Sequence, residues 1–405
     1  MAMGDGAVDE HVRPRMLAGA TVLQIAPSLR EGRTAHVTLN VAHALVRAGA
    51  RAIVASEGGP LVDALKGFGG EWHSYPDTTF NLFKLKRNVE WLAKFLTREP
   101  IDIVHARSTG AAFSAVPALE RANAKFVTEL PDLPYAQMVL GAFHLRAVSS
   151  GDRVIVHSEY DARPMVERYH VPPENVKVIP RGIDINMFDP AAVPPDRAAA
   201  LRQSWGVPSG ARVVLIPGRV APWNGQITLV DAARRLTENG MRGVTFVFAG
   251  DDRRHPRYAR SIISQAQSEG VQALFRIVGH CADMPAAFSA ADIIVVPCIK
   301  PPVTGRVVAE AQAMARPVIT SSVGALPENL LAPPRIAEEF RTGWVVAPED
   351  SIGIARALGA ALSLDSNAYR ALCARARQSA TFMFSPESVI TTTLEVYNSL
   401  LQAET

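Results

Sequence analysis

The chain has 405 residues, 48% of them hydrophobic and 20% charged, with a formal net charge of +3 at pH 7. That length suits two ordinary domains, and the composition excludes a disordered chain. So weak a positive balance gives no footprint for nucleic acid, and none is expected as a partner.

The first residues, MAMGDGAVDEHVRPR, are polar and lack the apolar stretch of a signal peptide, so residues 1–16 read as a tail. "ATVLQIAP" (Ala20–Pro27) is a short apolar run rich in β-branched residues, the pattern of a buried parallel strand. After the loop "SLREGR", Val37, Val41 and Leu45 recur at helical spacing, and Gly49 stands where a helix ends. "ARAIVAS" (Ala50–Ser56), "IDIVHARS" (Ile101–Ser108), "AKFVTEL" (Ala124–Leu130) and "DRVIVHS" (Asp152–Ser158) repeat the strand pattern with helical segments between them. Repeated βα units predict a parallel sheet covered on both faces.

Between the second and third of these strands lies "FNLFKLKRNVEWLAKFL" (Phe80–Leu96), with Leu82, Leu85, Val89, Leu92 and Leu96 as an apolar stripe. Lys84, Lys86, Arg87 and Lys94 surround that stripe. Such a helix either covers a sheet and shows its charges to water, or lies on an anionic membrane surface. No apolar run approaches the roughly 20 residues of a membrane span.

A Pro- and Ala-rich stretch follows "VIPRGIDINMFDP" (Val178–Pro190) and reads as a linker over 189–210. The βα rhythm then restarts in "RVVLIPGR" (Arg212–Arg219), "VTFVFAG" (Val244–Gly250), "LFRIVGH" (Leu274–His280), "DIIVVPC" (Asp292–Cys298), "RPVITS" (Arg316–Ser321) and "TGWVVAP" (Thr342–Pro348). The expected division is a first domain over 17–188, a second over 211–384, and a helix over 385–405 started by Ser385, Pro386 and Glu387. Cys281, Cys298 and Cys373 form no CxxC pair and are odd in number, so reduced, buried thiols are expected.

Ligands of such sheets bind beyond the carboxyl ends of the strands. Four stretches of the second domain lie there. In "IPGRVAPWNGQ", Gly218 permits a close turn, Arg219 offers a fork for phosphate, and Gly225 precedes a helix. A glycine turn with a surface arginine fits the same residues. In "FAGDD", Gly250 allows close approach, and Asp251 with Asp252 either accepts ligand hydroxyls or forms a solvated turn. In "VGHCADMPAAF", Gly279 and His280 end a strand, Asp283 caps a helix, and the backbone up to Met284 suits a nucleobase edge. In "TGRVVAEAQAMARPVI", Gly305, Arg306 and Val307 open a helix carrying Glu310, which is either a ribose ligand or a solvent-facing charge.

Taken in this order, these stretches resemble the donor half of family 4, or group 1, glycosyltransferases. "VIPRGIDINMFDP" resembles the interdomain segment, and "IAPSLREGR", "DIVHARS" and "IVHSEYDA" resemble the acceptor half. The resemblance implies an α/β chain of GT-B architecture: two Rossmann-like doubly wound domains facing across a cleft, with the last helix crossing back to the first. It implies transfer of a sugar from a nucleotide donor, a UDP- or GDP-sugar, to a glycan or lipid-linked acceptor. Retention of anomeric configuration, no cofactor and no essential metal are implied with it, as is work in the cytoplasm or on the inner face of the membrane. Arg219 would hold the donor diphosphate and Glu310 the ribose. Gly32 and His105 mark the ligand-facing loops of the first domain.

Several positions depart from the family pattern. A phosphate-binding Lys is replaced by Asn224, the first of two paired glutamates by Pro302, a first-domain His by Pro131, and a glycine after "AQAM" by Ala315. Lys300 lies near Pro302 and offers a different contact there, and Glu129 or Asp132 would serve in place of the His. A nucleotide- or sugar-binding protein that has lost transfer activity is the alternative reading.

Overall fold

A computed structural model describes residues 17–76, 82–120, 122–131, 141–302 and 305–402. The N-terminal tail and Asp132 lie outside the described residues. In chain order the elements are β1 (Thr21–Ile25), α1 (Arg33–Arg47), β2 (Arg51–Ser56), α2 (Val62–Gly67), β3 (Glu71–Ser74), α3 (Leu82–Arg98), β4 (Ile103–Ala106) and α4 (Thr109–Leu119). They continue as β5 (Lys125–Glu129), α5 (Gly141–Val148), β6 (Arg153–Val156), α6 (Glu159–Glu167), β7 (Val176–Val178), α7 (Pro195–Ser204), β8 (Arg212–Pro217), α8 (Thr228–Glu238) and β9 (Val244–Ala249). The rest are α9 (Pro256–Ser268), β10 (Phe275–Gly279), α10 (Met284–Ala290), β11 (Ile293–Val296), α11 (Arg306–Ala313), β12 (Val318–Ser321), β13 (Gly343–Val346), α12 (Ser351–Leu362), α13 (Ser366–Phe384) and α14 (Pro386–Gln402).

The chain forms two compact units, one made of residues up to Pro180 together with those from Pro386, the other Arg181–Ser385. In the first, seven parallel strands run in the order β3-β2-β1-β4-β5-β6-β7. All five residues of β1 are buried, as a strand covered by helices on both faces must be. The two edge strands, β3 and β7, were not legible as apolar runs, because an edge is covered less completely: every residue in them is half-buried or exposed.

The last helix completes the first unit. Val389, Val396, Tyr397 and Leu400 of α14 join Leu17, Val41 and Leu45 in one apolar cluster. Residue i and residues three, four and seven further on share a helix face, which explains this set. Helix α3 buries Leu92 and Leu96, while Phe83, Lys84, Lys86, Arg87 and Lys94 stay exposed. Among the described residues no helix is long and apolar enough to cross a membrane.

The second unit has six parallel strands in the order β10-β9-β8-β11-β12-β13. The segment expected as a linker is part of this unit. Phe188, Val193 and Trp205 are buried with Val213, Leu215 and Phe288, so their apolar area ties 181–210 to the second sheet. The boundary therefore falls at Pro180, earlier than the expected 188.

Candidate active site

Strand order reverses direction between β8 and β11 in the second unit, and between β1 and β4 in the first. Loops leaving the two central strands diverge there and open a crevice at their carboxyl ends. Arg219 follows β8 at this point of the second unit. Its carbonyl oxygen accepts from Asn224 Nδ2 at 2.7 Å and from Gln226 Nε2 at 2.8 Å, which fixes the loop backbone. The guanidinium is exposed and pairs with no carboxylate among the described residues.

Close backbone packing explains the glycines around Arg219. Gly218 has φ 116°, a conformation that favours glycine. A Cβ on Gly250 would stand 1.9 Å from the Gly218 oxygen, so the loops after β8 and β9 touch only because Gly250 has no side chain. Gly225 has φ 67°, and a Cβ there would lie 2.1 Å from the Pro297 oxygen.

Asn224, expected as a neutral phosphate ligand, has its amide engaged inside the loop. Besides the bond to Arg219, its Oδ1 lies 3.6 Å from Cys298 Sγ. Burial pushes the Cys298 thiol up to about 11, so it stays protonated and able to donate. Asp251 is likewise engaged, with Oδ1 accepting from Arg253 Nε at 2.7 Å, and that bond lowers its pKa.

Glu310 does not face solvent. It is 7% exposed, and its Oε1 sits 2.8 Å from Arg306 Nε one helical turn earlier. The alternative of a solvent-facing charge fails because α11 is buried on nearly every side, including Val308, Ala309, Ala311, Gln312 and Ala313. A carboxylate this buried calls for a paired partner, and Arg306 supplies one. Gly305 caps α11, where a Cβ would come within 2.0 Å of Asn329 Nδ2. Val307 is half-buried and packs against the core.

His280 is exposed after Gly279, which has φ 72°. Met284 is half-buried at the start of α10, where Asp283 caps by accepting from Ala286 N at 3.1 Å and pairs with Arg197 at 2.5 Å. Ala315 holds φ 55° in a helix-ending turn, with Arg316 N bonding Ala311 O and Ala315 N bonding Gln312 O. That pattern normally ends on glycine, so the alanine carries backbone strain.

In the first unit, Gly32 ends the loop after β1 at φ 150° and precedes α1. His105 is a correction: it lies inside β4, 0% exposed, and not on a ligand-facing loop. Its Nδ1 is 2.7 Å from Tyr397 Oη and its Nε2 is 3.6 Å from Glu129 Oε2. Burial, and then the Arg107 charge, hold its pKa well below the usual histidine value, so the ring is neutral.

Around it lies a charged cluster of which sequence reasoning named only Glu129. Arg107 donates from Nε to Gln24 Oε1 at 2.8 Å and from Nη1 to Glu129 Oε2 at 2.6 Å. His157 approaches the Ile179 oxygen at 3.0 Å, the Leu130 oxygen at 2.8 Å and Glu129 Oε1 at 3.5 Å. Both His157 nitrogens thus face backbone oxygens, and Glu129 lies beside Nε2. The stretches "HARS" and "VHSE" at two strand ends were the available signal.

Two parallel-sheet α/β units of this kind define a GT-B fold. A crystal structure of a glycosyltransferase from Rickettsia africae superposes with TM-score 0.72 at 27% identity, over 95% of this chain and 99% of that one. Anabaena Alr3699/HepE in complex with UDP shares the fold at TM-score 0.67 and 21% identity, over 94% and 100% of the two chains.

The family models for "Glycosyltransferase Family 4" and "Glycosyl transferases group 1" match residues 34–187 and 211–363. The chain thus belongs, through both halves, to the group 1, family 4 glycosyltransferases. A D-inositol 3-phosphate glycosyltransferase of Salinispora arenicola is 29% identical over 339 residues, 81% of this chain and 69% of that protein. The same-named protein of Xylanimonas cellulosilytica is 30% identical over 261 residues, 62% of this chain and 58% of that protein. The chain therefore spans only about 60–70% of the length of these relatives.

Proposed function

We propose that this glycosyltransferase moves a sugar from a nucleotide-sugar donor to a hydroxyl of a glycan or lipid-linked acceptor, with retention of configuration, in building a cell-surface polysaccharide or glycolipid. The observation that carries the donor half is Arg219: an exposed, uncompensated guanidinium on a fixed loop at the reversal point of the second sheet. The complexes of Alr3699/HepE with UDP and with UDP-glucose support a donor of that class. In this reading Glu310 holds the ribose. The departing diphosphate meets Arg219, and the protein acts by positioning and charge stabilisation.

A binding protein without transfer activity is the second reading, favoured by one feature. Asn224 brings no charge to the phosphates and its amide is engaged by Arg219 and Cys298. A thermal-shift panel of UDP-, GDP- and ADP-sugars, followed by a hydrolysis assay, separates the two. Stabilisation with slow donor hydrolysis supports the transferase, stabilisation without hydrolysis or transfer supports the binding protein, and no stabilisation removes both.

The exposed basic side of α3 with Phe83 at 88% exposure supports peripheral contact with anionic lipid. Pelleting with anionic but not neutral vesicles is the expected outcome. Equal pelleting with both removes the electrostatic contact.

A further inference from the structure

The loss of a lysine at position 224 raises the question of what neutralises a donor diphosphate besides Arg219. The backbone indicates where a replacement charge enters. The Trp223 carbonyl oxygen accepts from Ile299 N at 2.9 Å and from Lys300 N at 3.2 Å. The loop after β11 is thereby docked on the turn Pro222–Asn224 that carries Asn224. Two more contacts hold the same two loops together: Cys298 Sγ to Asn224 Oδ1 at 3.6 Å, and the approach of Gly225 to the Pro297 oxygen that no side chain could tolerate.

Lys300 consequently starts from the peptide next to Asn224 in space, although 76 positions separate them in the chain. It also leaves the other strand of the reversal point. Strands β8 and β11 are paired neighbours, with Ile293 opposite Val214 and Ile294 opposite Leu215. Arg219 follows one and Lys300 the other, so both residues lie on loops that leave the reversal point. Lys300 is exposed and, like Arg219, pairs with no carboxylate among the described residues. Two acids of these strand-end stretches are already engaged, Asp251 by Arg253 and Glu310 by Arg306. A diphosphate is the ligand chemistry that two uncompensated cations at such a point attract.

We infer that Lys300 is the second diphosphate-binding cation of this chain, the charge having moved from the turn after β8 to the loop after β11. This rests on the nucleotide-donor reading above. A lysine serves as a mobile point charge rather than a fixed fork, so it complements Arg219 without needing the same geometry.

The test is calorimetric titration of the full chain with UDP, GDP and ADP and with their nucleosides. Lys300→Ala should weaken the bound nucleoside diphosphate roughly tenfold or more, the range of a lost charge-assisted contact, and leave the nucleoside unchanged. Lys300→Arg should recover most of that loss, and Lys177→Ala on the exposed edge strand should change nothing. Unchanged diphosphate affinity in Lys300→Ala, or equal loss for diphosphate and nucleoside, overturns the assignment. If Arg219→Ala alone then loses diphosphate selectivity, the donor reading stands without Lys300. If the unaltered chain binds none of the three nucleotides, both fall. A Lys300→Ala protein that loses affinity for UDP-glucose but not for UDP overturns the phosphate role in favour of a sugar contact.

Discussion

Tyr397 Oη lies 2.7 Å from His105 Nδ1, a buried bond between residues 292 positions apart. Burial raises the phenol pKa, so the hydroxyl keeps its proton and shares a hydrogen bond with the neutral ring. This bond ties α14 to the centre of the first sheet. Tyr397→Phe leaves a buried imidazole nitrogen without a partner and should cost about 1–3 kcal/mol in urea unfolding. A change near zero would show that α14 is held by apolar packing alone.

The same histidine sets a pH dependence. Its folded pKa lies below its ordinary 6.5, so the unfolded chain takes up the proton more readily. The stability contribution is complete above about pH 6.5 and is lost as pH falls from there toward the folded pKa. In His105→Gln the fall in urea midpoint between about pH 7.5 and 5 should be shallower. Parallel pH curves for the two proteins would remove His105 as the cause.

Ala315→Gly should stabilise the second unit. The left-handed turn costs an alanine about 1–2 kcal/mol, against about 0.5–1 kcal/mol of extra chain entropy lost by glycine. A rise of about 0.5–1 kcal/mol in unfolding free energy is expected. A lower midpoint in the variant would mean that the alanine side chain makes a compensating contact.

Gly250→Ala has the opposite sign. The new methyl would meet the backbone oxygen of Gly218 at 1.9 Å, and backbone cannot turn aside as a side chain can. A loss of about 3 kcal/mol, with weaker nucleotide binding because Arg219 moves with Gly218, is expected. Wild-type stability together with wild-type binding would show that the two loops can separate freely.

Glu310→Gln tests the ribose role. The variant keeps the shape but leaves Arg306, whose side chain is half exposed, without its carboxylate, so stability should change little. Binding of UDP should weaken by about 1.5–3 kcal/mol, the value of a hydrogen bond to a charged group, while 2′-deoxy-UDP weakens less. Equal losses for both nucleotides would take Glu310 away from the ribose hydroxyls.

Much of the fold could be read from residues alone. Runs such as "ATVLQIAP" and "DIIVVPC" became β1 and β11 because strands buried on both faces must be continuously apolar. Gly218 was legible as a close turn and Gly250 as a point of close approach, since few other residues permit it, whereas the packing of Gly225 on the Pro297 oxygen was not. Periodicity did not reveal β3 and β7, whose residues are only partly covered, or the burial of Glu310, which depends on what surrounds α11 rather than on its own spacing.

The sequence by itself determined the two βα series, the parallel sheets and the family, because these rest on local patterns and on motifs within a few residues of one another. Only the tertiary structure decided which charges are free to meet a ligand. His105 sits in a strand-end motif but is sealed under Tyr397, whereas Asn224 is held to its own loop. Lys300 is brought beside that loop by a carbonyl 77 positions earlier. Hydrogen bonds and burial act through space, and no spacing along the chain records them.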